Sequence, residues 1–251
     1  MRKRLVGSAA LMLAVASACV PARLRADVGP DPLRGACADS LHDLPLVEVP
    51  AADEGDMLAV FISGDGGWAA IDRGVTAELT RAGVYVVGLN SLHYFFKTKT
   101  PDVTGRDLER IVRCYTNRTG RREVVLVGYS RGAEILPFMV ARLSEDVRRE
   151  TRLVALLGPG QGAQFKFHVV DWWADVHRAS DLPVLPEAER FVRTLPVLCV
   201  YGADETDTVC PALEKDGAQA VALTGGHHFD GGYDQLGQIV VHALTARAGA
   251  D

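Results

Sequence analysis

The sequence predicts a doubly wound α/β domain, built on a mostly parallel sheet with helices on both faces. Three observations lead there. Apolar, β-branched runs alternate with amphipathic segments along residues 44–251, several runs are apolar at every position, and 251 residues suffice for one sizeable core. Strands are expected at Pro45–Val49, Leu58–Ser63, Val84–Leu89, Val124–Tyr129, Leu153–Leu157, Val197–Tyr201 and Ala220–Leu223. Helices are expected at 70–82, 105–117, 132–143, 208–215 and 233–247; the last sets Leu236, Ile239, Val240, Ala243 and Leu244 on one face. Pro137 lacks the N–H that would bond residue 133, which predicts a kink or an early irregularity in its helix. The stretch 158–190 breaks the rhythm with Gly, Pro and aromatics, including Trp172-Trp173, and is expected to form a lid or substrate wall.

The first 43 residues read differently. "MRKR" followed by "LVGSAALMLAVASAC" is a positively charged segment and then an apolar run too short to span a bilayer, the pattern of a secretory signal at residues 1–18. Cleavage after Ala18 satisfies the small-x-small rule, and Cys19 also fits a bacterial lipobox, with Ala16 where leucine is usual. Both endings imply a periplasmic protein, anchored through lipidated Cys19 in the second case. Residues 19–43, rich in Pro, Arg, Asp and Gly, read as a linker. The formal charge of −5 argues against nucleic acid as a partner. Four of the five cysteines lie beyond Cys19, and an oxidising compartment favours pairing them. Cys199 and Cys210 flank one loop and are the expected pair, with Cys37–Cys114 as the remainder.

The chemistry begins at "VVLVGYSRGAEILPF", residues 124–138. Gly128-Tyr129-Ser130-Arg131-Gly132 is a G-x-S-x-G pentad with a strand before it and a helix after it. That is the context a nucleophile elbow needs, because a strained turn must project the serine hydroxyl. The pentad alone is weak in a chain with 25 glycines. Chain order sharpens it, since an α/β-hydrolase requires Ser, then Asp or Glu, then His, each past a strand. "VLCVYG" is followed by Asp204, Glu205 and Asp207, and "AVALTGG" by His227-His228-Phe229. His228 is favoured as the base because the base often precedes an aromatic, with His227 bracing the loop. Glu205 is favoured as the acid, and Asp204 and Asp207 stay open.

An oxyanion hole needs two backbone N–H groups. Arg131 supplies one, and the glycine loop in "VFISGDGGWAA" the other, through the N–H of Asp65. That loop lacks both the dinucleotide spacing and a Walker lysine, so a nucleotide cofactor is not expected. No H-E-x-x-H or paired C-x-x-C occurs, so no metal is expected, and His42, His93, His168, His177 and His242 are scattered. Arg131, Glu134 and Trp68 are expected to face the substrate.

"SGDGGW" at 63–68, "GYSRGAEILPF" at 128–138, "LLG" at 156–158, "CVYGADETDTVCP" at 199–211 and "GGHHFDGGY" at 225–233 together resemble the VirJ/AcvB family of bacterial periplasmic proteins, over most of residues 55–245. The resemblance implies an α/β-hydrolase fold, with the serine at Ser130, the acid among Asp204, Glu205 and Asp207, and the histidine at His227 or His228. AcvB-type members are associated with hydrolysis of lysyl-phosphatidylglycerol and VirJ with type IV secretion. In the family elbow an aromatic follows the serine and Asp stands where this chain has Glu134. AcvB-type proteins carry an extra N-terminal domain, so this chain resembles the shorter VirJ form. The resemblance implies a serine hydrolase acting on a carboxylic ester, an aminoacyl-phospholipid foremost, without a cofactor and at a membrane surface. A periplasmic adaptor for type IV secretion components and a general short-chain esterase are the alternatives.

Overall fold

The computed structural model describes residues 37, 40–51, 53, 55–166 and 181–248. The expected leader, Cys19, most of the linker, His168, Trp172, Trp173 and His177 lie outside them. Among the described residues, no helix is long and apolar enough to cross a membrane.

Seven strands form the main sheet: β1 (Leu46–Val49), β2 (Met57–Ile62), β3 (Tyr85–Leu89), β4 (Glu123–Tyr129), β5 (Thr151–Leu157), β8 (Val197–Gly202) and β9 (Gln219–Leu223). Their order is β1-β3-β2-β4-β5-β8-β9, with β1 antiparallel to β3 and every other pair parallel. The central strands are apolar and buried over most of their length because both faces are covered, while the edge strands β1 and β9 are partly exposed. Along β2, Leu58, Val60 and Ile62 enter one core layer while Ala59 and Phe61 enter the other, as the two-residue period requires. Each of these side chains is fully buried, and each large one contributes about 1.5–3 kcal/mol.

The second layer is closed by α1 (Ala70–Arg81), through Ile71, Val75 and Leu79, and by α8 (Tyr233–Ala248), through Leu236, Val240, Ala243 and Leu244. The first is closed by α3 (Pro101–Thr119) and α4 (Arg131–Val140). Helix α3 starts four residues before the sequence expectation, because Thr100 caps it by accepting the Val103 N–H and Pro101 opens its first turn. Helix α4 runs through Pro137 unbroken and ends at Val140. Three short helices not anticipated complete this part: α2 (Ser91–Tyr94), α5 (Glu145–Glu150) and α6 (Val184–Glu189). A small antiparallel ribbon, β6 (Gly162–Ala163) with β7 (Leu182–Pro183), lies within the irregular stretch. Helix α7 (Cys210–Lys215) follows β8.

The cysteines pair as Cys199–Cys210 and Cys37–Cys114. The first bond joins β8 to α7 and closes the loop that holds Asp204, Glu205 and Asp207.

Strand β2 lies between β3 and β4, and the chain leaves it first toward one edge and later returns on its other side. In an open α/β sheet the crevice at such a reversal, at the carboxyl ends of the strands, is where ligands bind. The glycine loop after β2 and the turn after β4 meet there, since Ile62 and Gly128 are register partners.

Close approach at this point depends on Gly132. A Cβ there would lie 2.1 Å from the Ile62 carbonyl oxygen, with backbone on all sides. Gly132→Ala is therefore expected to cost about 1–3 kcal/mol of stability. Gly66→Ala, where an added Cβ meets nothing within 4 Å, should stay near the parent. Urea denaturation of the two variants measures the difference.

Candidate active site

Ser130 sits between β4 and α4 with φ 52° and ψ −122°, a left-handed conformation that a non-glycine residue rarely adopts. The turn is held by the Ser130 N–H, which donates to the Leu157 carbonyl at 2.8 Å, and by the close stacking of Gly128 on Gly132. The strain lifts the side chain off the strand end into a cavity of about 330 Å³.

His227 meets it there. Its Nε2 lies 2.8 Å from the Ser130 Oγ, and its Nδ1 lies 2.6 Å from the Glu205 Oε1. The other Glu205 oxygen accepts the Gly202 N–H at 2.7 Å. Burial acts to raise the Glu205 carboxyl. The hydrogen bonds from His227 and Gly202 and the charges of the neighbouring imidazoles outweigh it, holding its pKa below the ordinary carboxylate value. A carboxylate only accepts, so the imidazole carries its proton on Nδ1 and leaves Nε2 as acceptor for the serine O–H.

The sequence expectation of His228 in this place is corrected. Its Nδ1 lies 3.0 Å from the Tyr129 hydroxyl, and its side chain is exposed. The reason is the backbone of the loop. Gly202 lies under Gly225 and Gly226, which seats His227 above the end of β8, where Glu205 waits. Phe229 and Asp230 then take φ values of 50° and 49°, and the chain turns sharply away after His228.

Tyr129 is the residue that sequence reasoning missed. It is buried, its ring stacks on His227 at 5.6 Å, and its hydroxyl faces both His228 and the His227 carbonyl. Burial, together with its acidic neighbours, pushes its phenol pKa upward, so it stays neutral and can donate to either acceptor. The one available signal was an aromatic in the pentad's second place.

Of the three acids, Glu205 alone contacts the imidazole; Asp204 and Asp207 line the cavity instead. Asp65 and Glu134 also line it, as do Gly160, Gly162, Gln164, Asp181 and Thr206. Gly160, Gly162, Gln164 and Asp181 belong to the stretch expected to form a lid or substrate wall, and they border the cavity. The glycine loop abuts the serine, for a Cβ on Gly64 would stand 3.5 Å from the Ser130 Cβ. Arg131 heads α4, where a backbone N–H has no acceptor within the helix. Its side chain lines the cavity, is 7% exposed, and donates from Nη1 to the Lys166 carbonyl at 3.1 Å. Part of its hydrogen-bonding capacity thus ties the wall to the elbow.

Trp68 is a second correction. It does not line the cavity; its ring packs edge-on to Phe61 and lies flat over Gly88, in a slot that any side chain at position 88 would fill. Among the described residues, no group of three or more His, Cys, Asp or Glu is arranged to hold a metal ion.

Known structures share this architecture. Est1E from Butyrivibrio proteoclasticus, in complex with ferulic acid, superposes with a TM-score of 0.59 at 16% identity, covering 82% of this chain and 96% of that one. MenH from S. aureus gives 0.58 at 14% identity, over 80% and 98% of the two chains. An α/β serine hydrolase homologue from Coxiella burnetii gives 0.56 at 14%, over 79% and 90%. At such identities the likeness establishes the fold, which is that of the α/β hydrolases. No curated protein matches the sequence. The family model described as "Bacterial virulence protein (VirJ)" matches residues 56–248, a span that takes in the glycine loop, the elbow, the acid and both histidines, and the chain belongs to the VirJ family.

Proposed function

We propose that the protein is an exported serine hydrolase that cleaves the aminoacyl ester of lysyl-phosphatidylglycerol. The observation that carries this reading is the hydrogen-bonded chain from Glu205 through His227 to Ser130, opening into the cavity. Ser130 attacks the ester carbonyl as His227 Nε2 takes its proton, and the N–H groups of Arg131 and Asp65 hold the oxyanion. The imidazolium, steadied by ionised Glu205, returns the proton to the departing glycerol oxygen. Water then repeats the sequence to release the lysine carboxylate.

The lining supports a cationic acyl group. Among the described residues, Asp65, Glu134, Asp181, Asp204, Glu205 and Asp207 line the cavity together with Arg131, a predominance of acids that supports the ammonium groups of a lysyl ester over an anionic acyl chain. The disulfides support an oxidising compartment, in keeping with export.

A fluorophosphonate probe is expected to label folded protein at Ser130, and the protein to release lysine from lysyl-phosphatidylglycerol vesicles. Labelling without lysine release would transfer the reading to a general esterase. Absence of labelling would favour the adaptor role in type IV secretion.

A further inference from the structure

Asp72 stands in the first turn of α1, directly behind the glycine loop, and the mechanism above does not use it. Its side chain is 0% exposed. One oxygen, Oδ2, accepts the Ala69 N–H at 2.6 Å; the other, Oδ1, is buried with no hydrogen-bond partner among the described residues. An acid in the first turn of a helix favours the helix dipole, and an exposed one would do so without desolvation. Here the carboxyl is kept dry and half-satisfied, at a cost that surface placement would avoid.

The loop in front of it is where the oxyanion is held on the reading above. Gly64 packs against the Tyr129 ring and Ser130, and Gly67 N–H donates to the Gly64 carbonyl at 3.1 Å. The start of the loop is fastened by Ser91, whose hydroxyl donates to the Ser63 carbonyl at 2.6 Å. Its far end, Trp68-Ala69, is fastened to the polar framework through Asp72, with the Trp68 ring seated on Gly88. Ionisable groups around the carboxyl are Arg73 on the same helix, Asp65 in the loop, Tyr129 at the end of β4 and Tyr233 at the head of α8. Glu205, His227 and His228 stand beyond Tyr129. Of these, Arg73 is the cation whose charge bears on Asp72.

We propose that Asp72 is a positioning residue of the site: its ionised form braces the Gly64–Ala69 loop against Ser130, and its protonation releases that brace. The proposal rests on the hydrolase reading for its consequence in catalysis, and on the loop geometry alone for the brace itself. Protonation removes the charge that draws in the Ala69 N–H and turns one oxygen into a donor that the loop must accommodate by moving. Burial outweighs the hydrogen bond from Ala69, the weaker pull of the more distant Asp72 and Gly64 N–H dipoles and the Arg73 charge, pushing this carboxyl up to about 6, so the change falls within reach of mild acid.

Two measurements separate the brace from the chemistry. With Trp172 and Trp173 replaced by Phe, Trp68 is the remaining tryptophan of the chain's three and reports the loop. Its emission is expected to pass through one step near pH 6 that Asp72→Asn removes. The rate of fluorophosphonate labelling of Ser130 in the parent should fall about 100-fold per pH unit in acid, where both His227 and Asp72 must be deprotonated. Asp72→Asn, which is uncharged and so mimics the released brace, should label more slowly at every pH and fall about tenfold per unit, one proton being left. Stability should move the opposite way. A carboxyl whose pKa is raised by folding stabilises most at low pH and loses that contribution as pH rises through about 6. Asp72→Asn should therefore melt no lower than the parent at pH 8. Asp72→Ser, which keeps a small acceptor without a charge, carries the same readouts if the Asn variant does not accumulate. An unchanged fluorescence step in either variant, or an unchanged acid slope, would overturn the proposal. Loss of labelling in the parent would sink the hydrolase reading and leave the fluorescence test of the brace standing.

Discussion

Ser130→Ala and His227→Ala are each expected to lower kcat by about 10⁶-fold, and the double variant to be no slower than either alone. The expectation follows from geometry. With Nε2 at 2.8 Å from the hydroxyl, base and nucleophile act as one unit, so removing either abolishes the same step. A residual rate of about 10³ to 10⁴ over water should persist, because the oxyanion N–H groups belong to the backbone and survive both substitutions. His228→Ala is the internal control. Its imidazole faces the Tyr129 hydroxyl, so its loss should change kcat by less than about tenfold, acting only through the seating of the loop. Steady-state hydrolysis of lysyl-phosphatidylglycerol and single-turnover labelling both read the contrast. Equal losses in His227→Ala and His228→Ala would defeat the assignment.

Much of this site is legible in the amino-acid sequence. The glycines at 128 and 132 are spelled out by the elbow pattern even though Gly132 is required by the distant Ile62 carbonyl, and the order serine, acid, histidine follows from strand succession. The central strands are readable because both faces of the sheet are covered there, which writes an apolar run for each. What escaped depends on contacts between distant segments. Adjacent His227 and His228 are equivalent by composition. Only the seating of Gly225 and Gly226 over Gly202 and the left-handed turn at Phe229–Asp230 decide which ring reaches Ser130. Trp68 is expected from the sequence to face the substrate, yet its ring fills the space left by Gly88, a strand away. The same holds for Asp72. Its helix position is readable as an ordinary first-turn acid, whereas its burial beneath the glycine loop exists only in three dimensions. Helix α3 was drawn too short because apolar periodicity outweighed the plainer Thr-Pro start signal at residues 100–101.

Glu205→Gln is expected to lower kcat by about 10⁴-fold with little change in KM, while Asp204→Asn and Asp207→Asn leave kcat within about tenfold. The carboxylate accepts the Nδ1 proton of His227 and the Gly202 N–H, one on each oxygen, and so fixes both the ring's rotation and its tautomer. Glutamine keeps the volume, but one of its termini is an NH₂ group. If the amide oxygen stays on Gly202, the NH₂ faces Nδ1 and selects the tautomer with its proton on Nε2, which cannot accept from Ser130. If the amide flips, the NH₂ confronts the Gly202 N–H. Either way the imidazolium that forms during attack loses its counter-charge. Asp204 and Asp207 touch neither nitrogen, so their loss should appear in KM for a cationic substrate, through the field of the cavity wall, and fade as salt screens that field. The parent protein should keep Glu205 ionised well into acid, since its pKa is held below the ordinary carboxylate range and its charge is lost only as pH falls through that lowered value. The acid limb of activity is therefore set by groups other than Glu205. Glu205→Gln is expected to show a lower plateau and an acid limb moved to lower pH, because the His227 imidazolium loses the carboxylate that favours it. A plateau equal to the parent's would move the acid's role to another carboxylate.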